Sequence, residues 1–125
     1  MSDFTDLERK VLARICDEQS DIAKPLCDLL AGAGVTDRYN TGHGFFTSFE
    51  VPQDVAPLAW PSRMVDGPNG EIAVGEAILL MGFVLWLEDG YPDCLEGFQY
   101  GTPAGDDIDL KRFDLAAIRW VKPAF

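Results

Sequence analysis

The side chains best suited to chemistry in this 125-residue chain are carboxylates gathered in two short stretches. Glu88, Asp89 and Asp93 flank an Asp-Gly-Tyr-Pro sequence, and Asp106, Asp107 and Asp109 crowd the next polar segment. Acids clustered without cations among them can steer a basic partner through long-range attraction, or can simply form a solvated face that aids solubility. Glu96 is a different case. Alternation along 93–100 puts Cys94, Glu96, Phe98 and Tyr100 on one face, so a carboxylate sits among apolar and aromatic groups. That setting suits a tuned acid or a ligand anchor, with Tyr100 as a second polar group. It equally suits a structural ion pair with Arg119, or a face open to solvent.

Other reactive residues carry less. His43 is the only histidine, in Thr41-Gly42-His43-Gly44, and no carboxylate or thiol stands at a spacing that would make it a catalytic base or a metal ligand. Its glycines precede a strand, whereas a phosphate cradle opens a helix. The run Asp106–Asp109 lacks the twelve-residue calcium pattern with its terminal Glu. Cys16, Cys27 and Cys94 are odd in number and have no C-x-x-C spacing, so a disulfide framework and a zinc knuckle are both disfavoured, and core packing is the simplest reading of all three. No catalytic residue, metal or cofactor is assigned.

The net charge of −11 falls unevenly along the chain. Residues 1–63 carry a net of −4 and residues 111–125 a net of +3, while residues 64–110 hold 10 acids and no Lys or Arg. Binding to nucleic-acid phosphates or to an anionic membrane needs clustered bases, so neither is expected. Lys111, Arg112, Arg119 and Lys122 stand next in sequence, where a basic strand could neutralise the acidic block inside the fold or leave it free for a partner. The start, Met1-Ser2-Asp3-Phe4, is not a secretory signal, the longest apolar run has 11 residues (Ala77–Leu87), and the cysteines fit a reducing compartment. A cytoplasmic protein is the expectation.

Elements that would hold these residues can be read from periodicity. Thr5-Asp6-Leu7-Glu8 is a capping box, and Phe4, Leu7, Val11 and Ile15 recur along one helical face. A second helix should run from Asp21 to Gly32, with Pro25 in its first turn and Gly32 and Gly34 ending it in the left-handed conformation. Period two then takes over: Phe45, Thr47, Phe49 and Val51 face one way, and Phe46, Ser48 and Glu50 the other. Pro52, Pro57, Pro61 and Pro68 predict a loop over 52–69 with one short edge strand near Arg63–Val65, closed by an Asn69-Gly70 turn. From Glu71 to Glu88 the chain is rich in β-formers, with Gly82 expected at a bulge or reversal. Residues 83–100 form a hairpin turned at Asp89-Gly90, and Leu115–Val121 is a last strand. Trp60, Trp86 and Trp120 are most simply core, though Trp86 and Tyr100 could line a pocket.

Two segments, Thr41-Gly42-His43-Gly44-Phe45-Phe46-Thr47-Ser48-Phe49 and Leu87-Glu88-Asp89-Gly90 through Leu95-Glu96-Gly97-Phe98-Gln99-Tyr100-Gly101, resemble a group of small bacterial proteins of no established activity. These share a T-G-x-G-F-F-T stretch and a D-G-x-x-x-x-L-E-G-x-x-Y-G hairpin. The resemblance implies a bacterial, single-domain, cytoplasmic protein and makes Gly42, Gly44, Glu96 and Tyr100 shared structural positions.

The expectation is therefore one globular domain over 1–125, of α+β class: two N-terminal helices packed on a mostly antiparallel sheet of four to six strands. Functionally it is a non-enzymatic acidic module that binds another protein, such as a basic toxin to be neutralised. The alternative is a small-ligand-binding protein or enzyme with a cleft near Glu96 and Tyr100. A homodimer through a strand edge is a further option.

Overall fold

A computed structural model describes residues 4–40, 44–74, 77–100 and 119–121. It has the α+β architecture expected: helices α1 (Asp6–Glu18) and α2 (Ala23–Ala31) lie against one face of an antiparallel sheet of six strands. The strands are β1 (Gly34–Asn40), β2 (Gly44–Glu50), β3 (Met64–Val74), β4 (Ala77–Glu88), β5 (Tyr91–Tyr100) and β6 (Arg119–Val121), in the spatial order β1-β2-β5-β4-β3-β6.

Both helices bury the faces their sequences direct, and α1 starts at its capping box. Thr5 caps α1: its hydroxyl accepts from the Glu8 N–H at 3.2 Å, and the Glu8 carboxylate accepts from the Thr5 N–H at 2.7 Å. Leu7, Val11 and Ile15 go into the core, and the Phe4 ring meets Phe49 of β2 edge-on at 5.2 Å. Helix α2 begins two residues later than expected, because Ser20–Ile22 form a turn and Ile22 supplies no side-chain cap. Its terminal Gly32 is not left-handed, with φ −96°. Glycine is required there for space: a Cβ would lie 2.8 Å from the Pro52 ring.

Alternation divides the sheet cleanly. Thr47 and Phe49 on β2, Val65 on β3, Met81, Phe83, Leu85 and Leu87 on β4, and Leu95 on β5 are buried toward the helices. Phe46 and Ser48, Val84 and Trp86, and Cys94, Glu96 and Phe98 occupy the opposite face. The double-sided apolar run in β4 thus reflects a central strand with one face buried and the other half-exposed.

Three irregularities matter, each an extra residue inserted in one strand of a pair. Thr36 bulges from β1, Gly67-Pro68 stand opposite Phe83 in β3, and Asp93 is the extra residue of β5 opposite Trp86–Leu87. The second corrects the expected loop. The strand expected as a short edge begins at Met64 and continues to Val74 between β4 and β6, because the bulge accommodates Pro68, which cannot donate to a ladder. Asn69-Gly70 is consequently not a turn but paired strand, facing Gly82-Met81 on one side and Val121-Trp120 on the other. Gly82 in turn is neither bulge nor reversal. It is a regular β4 residue whose missing side chain leaves room for the Phe98 ring, which a Cβ would meet at 2.6 Å. The reversal itself lies between Val74 and Ala77.

The β4–β5 turn has φ 53° at Asp89 and 85° at Gly90, the positive pair of a primed hairpin turn. The proline-rich segment 51–63 is fastened beneath it: the Leu58 N–H donates to the Gly90 carbonyl at 2.9 Å, and the Tyr91 hydroxyl to the Val55 carbonyl at 2.6 Å. Strand β6 is seen over Arg119–Val121 only; the other positions of the expected strand, 115–118, lie outside the described residues.

These contacts separate two glycines that look alike in sequence. A Cβ at Gly67 would come within 2.6 Å of the Phe83 carbonyl oxygen, whereas at Gly34 nothing lies within 4 Å. Gly67→Ala should therefore lower the unfolding free energy by roughly 1–3 kcal/mol. Gly34→Ala should leave it unchanged or raise it by up to about 1 kcal/mol. Urea denaturation of the two variants checks this; equal losses would contradict it.

Candidate binding face and acidic turn

The structure brings Glu88, Asp89 and Asp93 together at one end of the sheet, as the sequence suggests. Glu88 ends β4, Asp89 occupies the turn, and Asp93 is the bulged residue three positions into β5. Among the described residues, one cation stands near. Arg63, in the segment before β3, approaches Glu88 at 3.6 Å, with both side chains largely exposed. Such a pair contributes little to stability and is readily exchanged. Half-buried Asp93 feels its neighbours more. Burial and then the Glu88 charge push its carboxyl above the usual carboxylate range, against an opposing pull from Arg63.

The one described base of the C-terminal block does not reach this end. Arg119 of β6 pairs with Glu71 of β3, and Glu71 sits in a row with Leu80 and Tyr100, far along the strands from the β4–β5 turn. Lys111, Arg112 and Lys122, together with Asp106, Asp107 and His43, lie outside the described residues. Tyr100 closes β5 opposite Leu80, and its side chain also falls outside the description.

Glu96 lies near the middle of the sheet face turned away from the helices, flanked by Phe46 of β2 and Val84 of β4. Its partner is not Arg119. The Trp86 indole N–H donates to Glu96 Oε1 at 3.0 Å. Trp86 is therefore not core, in contrast to Trp60 and Trp120, which pack against the core cluster, Trp120 edge-on to Phe83 at 6.2 Å. Strand parity decides this: residue 86 shares its face with 84 and 96, while Trp120 pairs with Gly70 on the helix side. The half-exposed groups around Glu96 make an aromatic surface with a carboxylate within it.

The cysteines are not alike. Cys16 is buried, and burial together with the neighbouring Cys27 thiol pushes its own thiol up. Cys27 of α2 is exposed, contrary to the core packing expected of it, and Cys94 is half-buried. Burial pushes the Cys94 thiol up too, against a hydrogen bond to Ser48. A protonated thiol is a poor nucleophile, so neither Cys16 nor Cys94 is an activated one. Among the described residues no cluster of three His, Cys, Asp or Glu side chains could hold a metal ion.

One polar cluster escapes sequence reasoning. Glu8 is only 3% exposed and Thr47 fully buried. The Glu8 carboxylate receives Arg38 through two nitrogens, Nε at 3.1 Å and Nη2 at 2.8 Å, the Thr47 hydroxyl at 2.5 Å and the Thr5 N–H at 2.7 Å. Burial alone would raise its pKa, but hydrogen bonds from Arg38, Thr47 and Thr5 and the Arg38 charge together hold it below the usual range. The available signal was Thr47 itself, a hydroxyl in the buried row between Phe45 and Phe49, which needs a partner. Its carboxylate is buried and accepts from three residues, which suits a structural role.

No helix among the described residues is long and apolar enough to cross a membrane. Neither a protein-family model, nor a curated protein, nor a solved structure matches this chain.

The Glu8 cluster dictates an acid limb. A carboxyl held low in the fold contributes stability that is present above its unfolded pKa and is lost as pH falls through the folded value. Glu8→Gln should cost roughly 2 kcal/mol at pH 7 by weakening charge-assisted hydrogen bonds, and should flatten the loss of stability below about pH 4.5. Denaturant midpoints measured from pH 7 to pH 3 test this. Parallel profiles for the two proteins would show that Glu8 is not the titrating link.

Proposed function

We propose that this chain is a non-enzymatic acidic module that binds a basic partner protein, with neutralisation of a basic toxin as one such role, in the cytoplasm of a bacterium. The observation that carries it is the β4–β5 turn. Three carboxylates are presented there at a primed turn tied to the segment 51–63, and among the described residues the exposed Arg63 is the one cation beside them. The nearest described base of the C-terminal block, Arg119, is engaged with Glu71 elsewhere. Preorganised charge of one sign raises the encounter rate with an oppositely charged surface and costs little ordering when the complex forms.

Asp93 adds a thermodynamic argument. Its carboxyl is pushed up in the free chain, so it ionises less readily than an ordinary Asp despite the pull of Arg63. A Lys or Arg of a partner would reverse this, lowering the pKa and releasing a proton on binding. Affinity should then rise with pH across the Asp93 titration and level off above it. The half-exposed aromatic groups around Glu96 extend over several strands, an extent that suits contact with a protein.

The test is affinity capture on the immobilised chain from native bacterial lysate, with a triple variant Glu88→Gln, Asp89→Asn, Asp93→Asn as control; Asn is suited to the positive φ of position 89. A specific partner of pI above about 9 should be retained at low salt and released as salt rises, and the triple variant should slow association by about tenfold or more. Retention of nothing, or equal retention by the variant at every salt concentration, would overturn the reading.

A further inference from the structure

We infer that the sheet face opposite the helices is the main docking surface for that basic partner, receiving a segment that alternates cationic and apolar side chains. This rests on the protein-binding reading above and adds where the partner sits and what its contact surface must contain. The first observation is apolar. Tyr39 is 63% exposed, Met64 37% and Phe98 36%, and Phe46, Val84 and Trp86 are half-exposed on the same face. Row pairing makes them continuous: Tyr39 lies beside Phe46, Phe46 beside Glu96, Glu96 beside Val84, and Trp86 beside Met64. Both described helices cover the other side.

The second observation is charge. Asp37, Asp66, Glu71 and Glu96 occupy this face, and the one base in its described rows, Arg119, is paired with Glu71. Surface of this kind repels a copy of itself. Stacking two such faces would press carboxylates together while removing the water that screens them, so a second copy is the wrong occupant. A cationic partner instead gains twice, since its Lys or Arg groups meet the carboxylates while its apolar groups cover the aromatic rows. Glu96 is the specific anchor. The Trp86 indole holds one of its oxygens, which fixes the carboxylate in the plane of the aromatic surface.

Size agrees with this. Five strands spaced about 4.8 Å apart, over some five residues each, offer on the order of 400 Å², about half of what one side of a standard interface buries. The acidic turn continues the same face through Glu88, one step beyond the Trp86 row, and enlarges it.

The 15N-labelled chain should be titrated with three synthetic peptides of equal length, alternating Lys-Leu, Lys-Ser and Glu-Leu. The Lys-Leu peptide should shift the amides of Tyr39, Phe46 and Glu96 and the Trp86 indole N–H. A double variant Tyr39→Ser, Met64→Ser, changing two exposed side chains, should weaken that binding at least tenfold and leave the weaker Lys-Ser binding unchanged. Shifts confined to residues 88–93 with both Lys peptides would overturn the face while leaving the acidic-turn reading intact. Absence of binding by either Lys peptide would count against both. Equal shifts with Glu-Leu would mean apolar adhesion without charge selection, and a dimer in sedimentation that the double variant dissolves would mean a second copy; either outcome overturns the inference.

Discussion

A buried carboxylate joins the parts of this protein. Glu8 caps its own helix through Thr5, reaches Arg38 of the edge strand β1 and accepts from Thr47 of β2, so one side chain sets the position of α1 against two strands. Apolar packing alone would allow α1 to slide or rotate on the sheet, because burial of hydrocarbon is not directional. The hydrogen bonds to Glu8 are directional, and any displacement would leave a charge in the interior without its donors. Around that fixed point the core closes, with Phe4 against Phe49 and Leu7, Val11 and Ile15 over the middle of the sheet.

The second organising feature is that polarity is sorted by strand parity. One side of the sheet carries the residues the helices cover. On the other side, aromatic rings lie between acids, and the acids continue onto the β4–β5 turn. Bulges adjust this sorting locally. The extra residue at Asp93 breaks the alternation next to the turn, half-burying an acid that a regular strand would have placed by parity. The bulge at Gly67-Pro68 lets a proline lie within an interior strand.

Much of the architecture can be read from local pattern. The capping box at Thr5–Glu8, the Leu7-Val11-Ile15 face, the alternation in β2 and the Asp89-Gly90 hairpin are all short-range features, and each occurs in the fold. Legibility fails where meaning depends on distant neighbours. Asn69-Gly70 has the composition of a turn but is paired on both sides, and Gly82 is needed by a ring from another strand. Strand β1 ends in Thr-Asp-Arg-Tyr-Asn, too polar to stand out, because Arg38 serves an acid in a helix far earlier in the chain. The acidic turn was visible as composition; the failure of Arg119 to neutralise it was not, since that depends on the place of β6 in the strand order.

That order has a kinetic side. Strands β3, β4 and β5 are joined by hairpins, as are β1 and β2, so each group can form from contacts close in sequence. The β2–β5 ladder is different. It unites the two groups across the whole of β3 and β4, and its closure must bear the entropy of that intervening chain. Until it closes, β5 has a bare hydrogen-bonding edge beside Leu95 and Phe98, an invitation to pair with another chain. Folding of this molecule is thus a race between an intramolecular seam and intermolecular pairing at the same edge, and dilution favours the first.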